Sequence, residues 1–215
     1  MTRTQSQTST YTMELWPTRV MCLEMDPASA GLHNPELIRL VMAGCARQQA
    51  RVVRELRLYE FEEVDHAAVR WLVGEVRQAA ALYAGFDSPE GIRVTLRGVQ
   101  INHGQHINTH TEARESDLAV AYWPSGNPDK VGTSVSENGD EWAPTFVLED
   151  PSRHLSDLRL PFETRHSVNI CPRPGLMAIY PAHLPHNFHP HQGTVPFIHI
   201  VAQVRFPWPK DYFRS

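Results

Sequence analysis

The stretch Ile92 to Ile101 (IRVTLRGVQI) marks the place where the chain changes period. Ile92, Val94 and Leu96 alternate with polar residues, and Val99 and Ile101 resume the alternation after Gly98. Successive side chains of a strand point to opposite faces, so the pattern predicts a half-buried strand, with Gly98 marking a bulge. Further strand candidates follow at Asp117–Trp123, Thr145–Glu149, Ser167–Ile170, Leu176–Tyr180 and Phe197–Phe206, separated by segments dense in Pro, Gly, Asn and Asp. Short strands in series predict a barrel or sandwich. The polar stretch Pro124 to Pro144 (PSGNPDKVGTSVSENGDEWAP) is too long for a simple turn and is expected to be an active-site lid or a disordered segment.

Upstream of Ile92 the period is helical. Asn34 and Pro35 resemble an N-cap and first helical position, and Leu37, Val41, Cys45, Val52 and Leu56 recur on one face, predicting one long helix. Asp65 is the expected cap of a second helix, with an apolar stripe through Val69, Leu72, Val73, Val76, Ala80 and Tyr83 and a stop at Gly85. Met13 to Glu24 (MELWPTRVMCLE) reads as a β-prone segment broken by Pro17, because proline is tolerated at strand edges and starts. Residues 1–12 read as a disordered polar tail. The expected organisation is that tail and one domain, 13–215, with helical support over 34–85 and a β core over 92–207.

A length of 215 residues with 41% apolar content suits one core. A net charge of −4 without any basic run argues against nucleic acid, since phosphate binding needs clustered Lys and Arg. The opening residues lack the apolar stretch of a secretory signal, and no segment approaches a membrane span. Cys22, Cys45 and Cys171 are odd in number and far apart, which suits reduced, buried thiols and a cytoplasmic protein. There is no Gly-rich phosphate loop, nucleophile elbow or CxxC pair, which removes common nucleotide, hydrolase and zinc-ribbon readings.

The functional signal is histidine. His103, His106 and His110 form one group, and His183, His186, His189 and His191 form another, both in the β-rich half. Imidazole is the commonest ligand for transition metals, and two histidines with one carboxylate on one face leave open positions for Fe(II) oxygenase chemistry. His110-Thr111-Glu112 supplies a histidine and a carboxylate two apart, which a strand projects from the same face. Alone the spacing is weak, because 12 His and 24 acidic residues produce it by chance. His186 supplies the context, at the end of an apolar run from Pro174 through Tyr180 and Pro181. His110, Glu112 and His186 are therefore the candidate metal ligands. His183 is the alternate third ligand, and His103 and His106 are candidates for the pocket mouth.

These residues resemble a family, the 2-oxoglutarate–Fe(II) oxygenases. Leu15-Trp16-Pro17-Thr18-Arg19-Val20 resembles its N-terminal "FPTPV"-like stretch. Gly104 to His110 and on to Asp117–Trp123 resembles its "G…H-x-H…SGVYYL" segment. Gly175 to His186 resembles its "P-x-G…FP…H" segment, and Glu149-Asp150-Pro151 falls where members carry a "DP" step. The resemblance implies an α+β chain with a jelly-roll (double-stranded β-helix, cupin-like) core and iron on His110, Glu112 and His186. Glu112 stands where this family usually has His and other oxygenases have Asp or Glu. The implied activity is oxidation of an unactivated C–H bond of a small molecule, by hydroxylation, desaturation or cyclisation, with Fe(II) and 2-oxoglutarate.

One departure stands out. Where the family has an "R-x-S" step that anchors the far carboxylate of 2-oxoglutarate, this chain reads Phe197-Ile198-His199, so the charge-assisted bidentate clamp is missing. Three alternatives follow: a substitute cation, from His199 or from Arg97, Arg165 or Arg205; iron and O2 chemistry without 2-oxoglutarate; or a barrel that binds a metal or small molecule without catalysis. His199, Asn102 and Arg205 are the residues expected to bind the co-substrate. Tyr122, Trp123 and Tyr180 are expected to pack in the core or shape an aromatic pocket.

Overall fold

The computed structural model describes residues 9–15, 18–47, 51–53, 56–61, 64–114, 116–126, 144–151 and 167–208. The first half holds β1 (Ser9–Leu15), β2 (Thr18–Glu24), α1 (Pro27–Ala46), β3 (Arg51–Val53), β4 (Leu56–Glu60) and α2 (Ala67–Ala84). The second half is all β: β5 (Arg93–Ile101), β6 (Ile107–His110), β7 (Leu118–Trp123), β8 (Phe146–Glu149), β9 (Ser167–Ile170), β10 (Leu176–Pro181), β11 (His186–Phe188) and β12 (Phe197–Arg205).

Strand pairing is nested. β5 pairs with β12, β6 with β11, β7 with β10 and β8 with β9, all antiparallel. The chain runs out through four strands and back through four, each return strand lying against its outbound counterpart. The pairs alternate between two sheets, ordered β1-β2-β10-β7-β12-β5-β4-β3 and β6-β11-β8-β9. This is the expected double-stranded β-helix. Its consequence for function is direct, because β11 returns against β6 in a register that sets His186 opposite His110.

The large sheet is covered on both faces. Outward-facing residues such as Val120, Met177, Ile179 and Ile200 pack with Leu37 and Val41 of α1 and Leu72 and Val76 of α2. Inward-facing Val99, Ile101, Ala121, Trp123 and Tyr180 meet Phe146, Leu148 and Phe188 of the small sheet. Double burial explains why β7 (LAVAYW) is an unbroken apolar run, every residue buried, rather than an alternation.

Several sequence expectations are corrected. The cap of α1 lies eight positions before Asn34, at Asp26, which accepts from the Ser29 N–H at 3.0 Å, and Pro27 takes the first turn. Pro35 lies inside the helix, and buried Asn34 accepts a hydrogen bond from the Tyr122 hydroxyl. The predicted single long helix ends at Ala46. Val52 and Leu56 belong instead to the hairpin of β3 and β4, which extends the sheet beyond β5. β-branched Val52 and Val53 suit that strand, and the four-residue spacing of Val52 and Leu56 mimics a helical face. The cap of α2 is His66, whose Nδ1 accepts from the Ala68 N–H at 3.2 Å, while Asp65 pairs with Arg70. Gly85 ends α2 in the left-handed conformation (φ 73°), as predicted.

Gly98 makes no bulge: its register is continuous with Ile200 on one side and Tyr59 on the other. A Cβ there would stand 2.4 Å from Cγ2 of Val41, so the missing side chain lets α1 close on the sheet. β1 starts at Ser9, inside the segment expected to be a tail. Residues 1–8, Arg165 and most of the Pro124–Pro144 loop lie outside the described residues. Among the described residues no helix is long and apolar enough to cross a membrane.

Candidate metal centre

The ligand candidates converge. One ligating atom from each of His110, Glu112 and His186 lies within 4.8 Å of the others. His110 closes β6 and His186 opens β11, so the ladder brings them together, with ring centroids 4.3 Å apart. Glu112 lies just beyond the end of β6. Its position is held by its own N–H donating to the Ala182 carbonyl at 2.9 Å and by the Ser116 hydroxyl donating to its carbonyl at 3.0 Å.

Both imidazoles are set in one tautomer. His110 Nδ1 lies 2.9 Å from the Asn108 carbonyl oxygen, and His186 Nδ1 lies 3.0 Å from that of Leu184. A carbonyl only accepts, so each Nδ1 carries the proton and each Nε2 presents a lone pair. His186 Nε2 is buried without a hydrogen-bond partner, and His110 Nε2 sits 3.5 Å from Glu112 Oε1. A buried, unpartnered imidazole lone pair beside a carboxylate and a second lone pair is the arrangement a divalent transition metal completes. These residues fit Fe(II).

Electrostatics agree. Burial alone would raise the Glu112 carboxyl, but the hydrogen bond from Gln203 and the charge of Arg97, joined by His110 whenever that ring is protonated, hold it below the ordinary carboxylate value. Burial pushes His186 down to about 4, helped by nearby His110, so at neutral pH it is an uncharged donor of electrons. Gln203 Nε2 donates to Glu112 Oε2, and Arg97 Nη2 donates to Gln203 Oε1 at 3.2 Å. Arg97 also lies 4.0 Å from Glu112 Oε2 and 3.8 Å from Glu60 Oε1. Residues around a ligand of this kind orient it.

A cavity of about 760 Å³ opens beside the triad, with apolar walls that include Leu58, Val99, Ile107 and Val201, and with polar His106 and Asn108. His199 lines it, buried, with Nδ1 unpartnered. Burial first, then the charges of His186 and His110, push its ring down to about 3. Phe197 takes the expected arginine position as an interior aromatic, against Phe188 and His191.

The other candidates divide. Asn102 does not line the cavity; it builds a turn, accepting from Gln100 Nε2 and donating its N–H to Gln105 Oε1. Arg205 is exposed at the end of β12, opposite Arg93 and away from the cavity. Among the described residues, Arg97 is the Arg or Lys that lines it. His183 and His189 are exposed, whereas His191 is buried and holds its own turn through Nε2 and the Val195 carbonyl oxygen, 2.7 Å away. His103 and His106 line the cavity as expected. Gln203 escaped the sequence reading, although His199 and Gln203, four positions apart, are the two buried polar residues of a strand that is otherwise apolar up to Arg205.

No protein-family model matches the chain, and no curated protein matches it in sequence. Solved structures do. A Pseudomonas putida prolyl-4-hydroxylase is similar with a TM-score of 0.58 at 10% identity, over 95% of each chain. The epimerase SnoN, solved in complex with Fe3+, alpha ketoglutarate and nogalamycin RO, is similar with a TM-score of 0.61 at 12% identity, over 87% of this chain and 78% of its own. A prolyl hydroxylase from Trichoplax adhaerens, bound to a hypoxia inducible factor peptide fragment, gives 0.58 at 13% identity, over 86% and 82%. The chain has the fold of these proteins.

Proposed function

We propose that this chain is a non-haem Fe(II) dioxygenase that uses 2-oxoglutarate to oxidise an unactivated C–H bond of a small molecule, by hydroxylation, desaturation or cyclisation. The observation that supports this most is the convergence of His110, Glu112 and His186 at a cavity wall, with both imidazoles locked so that Nε2 faces the same point. The fold shared with a structure that binds iron and alpha ketoglutarate supports it further.

Fe(II) held there would supply the activation of O2 that no side chain provides. The residues do the rest. His110 and His186 donate neutral lone pairs, and Glu112 contributes the one negative charge. Gln203 occupies Oε2 of that carboxylate, which leaves Oε1, on the His110 side, for the metal. The cavity combines apolar walls with polar groups, and its volume suits a small molecule.

A second reading, oxidation without 2-oxoglutarate, is favoured by one observation: Phe197 replaces the arginine clamp. Anaerobic calorimetry of Fe(II)-loaded protein with 2-oxoglutarate separates the two. Binding that requires Fe(II) and is lost in His186→Ala supports the 2-oxoglutarate enzyme. Fe(II) uptake without any 2-oxoglutarate binding supports the second reading.

A further inference from the structure

Oε2 of Glu112 faces two donors. Gln203 Nε2 donates to it, and Arg97 Nη1 stands 4.0 Å away. The donors are also joined to each other, because Arg97 Nη2 donates to Gln203 Oε1 at 3.2 Å. Strand register dictates this contact. Arg97 of β5 is paired with Val201 of β12, and Gln203 with Thr95, so Arg97 and Gln203 are diagonal neighbours, within reach of long side chains. On its other side Arg97 is paired with Glu60 of β4, whose Oε1 lies 3.8 Å from Arg97 Nε. A line of polar groups, Glu60, Arg97, Gln203 and Glu112, thus runs from β4 across β5 and β12 to the metal centre.

Arg97 settles which way the Gln203 amide points. A carboxamide has an accepting oxygen and a donating nitrogen, and between a guanidinium and a carboxylate one orientation satisfies both. Gln203 is buried, so its oxygen needs a donor, and its terminal torsion is soft. Without the guanidinium the amide turns toward another donor, and its hold on Glu112 goes with it.

The consequence falls on coordination. A carboxylate binds a metal through one oxygen or through both. Two imidazoles and one carboxylate oxygen leave three octahedral positions open, and a second carboxylate oxygen leaves two. A chelating keto acid and O2 together need three.

Resting on the reading of His110, Glu112 and His186 as ligands of one metal ion, we propose that Arg97 is a positioning residue. It aligns Gln203, which holds Oε2 of Glu112 away from the metal and so keeps the third open position from being closed by the protein's own carboxylate. Arg97 lines the cavity beside that position, where its loss is felt as a change in how many small ligands the metal accepts.

The test uses Mn(II) alone, an oxygen-binding stand-in for Fe(II) whose paramagnetism lets the relaxation of water protons count the waters on the ion. Relaxivity is measured at Mn(II) concentrations that saturate each protein, with thermal melting to confirm folding. The native protein should hold three waters. Arg97→Met, which keeps the length of the side chain and removes the guanidinium, should hold two, so that relaxivity falls by about one third. Gln203→Leu should give the same fall, and the double variant should fall no further, because Arg97 acts through Gln203. Arg97→Lys, which keeps a donor and a charge, should stay closer to the native value than Arg97→Met. Native relaxivity in folded Arg97→Met, or weaker Mn(II) binding there with the water count unchanged, overturns the proposal and leaves the ligand assignment standing. A larger fall in the double variant than in Gln203→Leu also overturns it. Failure of the native protein to bind Mn(II) overturns both.

Discussion

Gln203 donates from Nε2 to Oε2 of Glu112, while His110 Nε2 lies 3.5 Å from Oε1 of the same carboxylate. The two oxygens therefore have separate tasks, one held by the protein and one facing the metal. Glu has one more rotatable bond than Asp, so a ligand of this length needs such a hold.

Gln203→Leu should keep the strand, because Leu fits the inward apolar row of β12, but free Glu112 to turn. Fe(II) affinity should fall by roughly tenfold to a hundredfold, the usual cost of losing an outer hydrogen bond to a ligand. A chelator competition showing native affinity would mean that Gln203 does not position Glu112.

Gly98→Ala tests the packing rather than the chemistry. The added Cβ would meet Val41 at 2.4 Å and Phe61 at 3.2 Å, forcing α1 away from β5. Overpacking of this kind typically costs about 1–3 kcal/mol. Chemical denaturation should show that loss with the metal site intact; an unchanged midpoint would show that α1 shifts freely.

The pH dependence of the metal-free protein has a definite sign. His186 is pushed down to about 4 and His199 to about 3 by burial, so below the unfolded value near 6.5 the unfolded chain takes up protons that the folded chain refuses. Stability should be level above about pH 7 and fall as pH drops toward 4, by up to ~1.4 kcal/mol per unit for each ring. Replacing His199 by Phe should flatten that slope. A metal-free protein equally stable at pH 5 and pH 7 would contradict the burial of these rings as uncharged groups.

Much of this was legible in the sequence, and the exceptions have physical causes. β5 shows its alternation because one end of its inner row opens to the cavity, while β7, β10 and β12 lose theirs to burial on both faces. His-x-Glu and the distant His186 could be read because strand spacing and order carry them. Gln203 could not be linked to Glu112, since only the nested pairing of β5 with β12 and β6 with β11 brings them together. Val52 and Leu56 misled because a spacing of four suits a helix as well as two strands joined by a short turn. Asn102 and Arg205 were plausible by residue type, but whether a side chain reaches the cavity depends on register.

The central claim is that His110, Glu112 and His186 hold one metal ion. Iron content after anaerobic loading and exhaustive dialysis tests it most directly, measured for the native protein and for Glu112→Ala, His186→Ala and His183→Ala, with thermal melting to confirm folding. His183 is exposed on the turn before His186 and serves as the control. The account predicts one Fe(II) per chain in the native protein and in His183→Ala, and loss of iron in the other two while the fold survives. Stoichiometric iron in folded Glu112→Ala or His186→Ala, or loss of iron in His183→Ala alone, would contradict it.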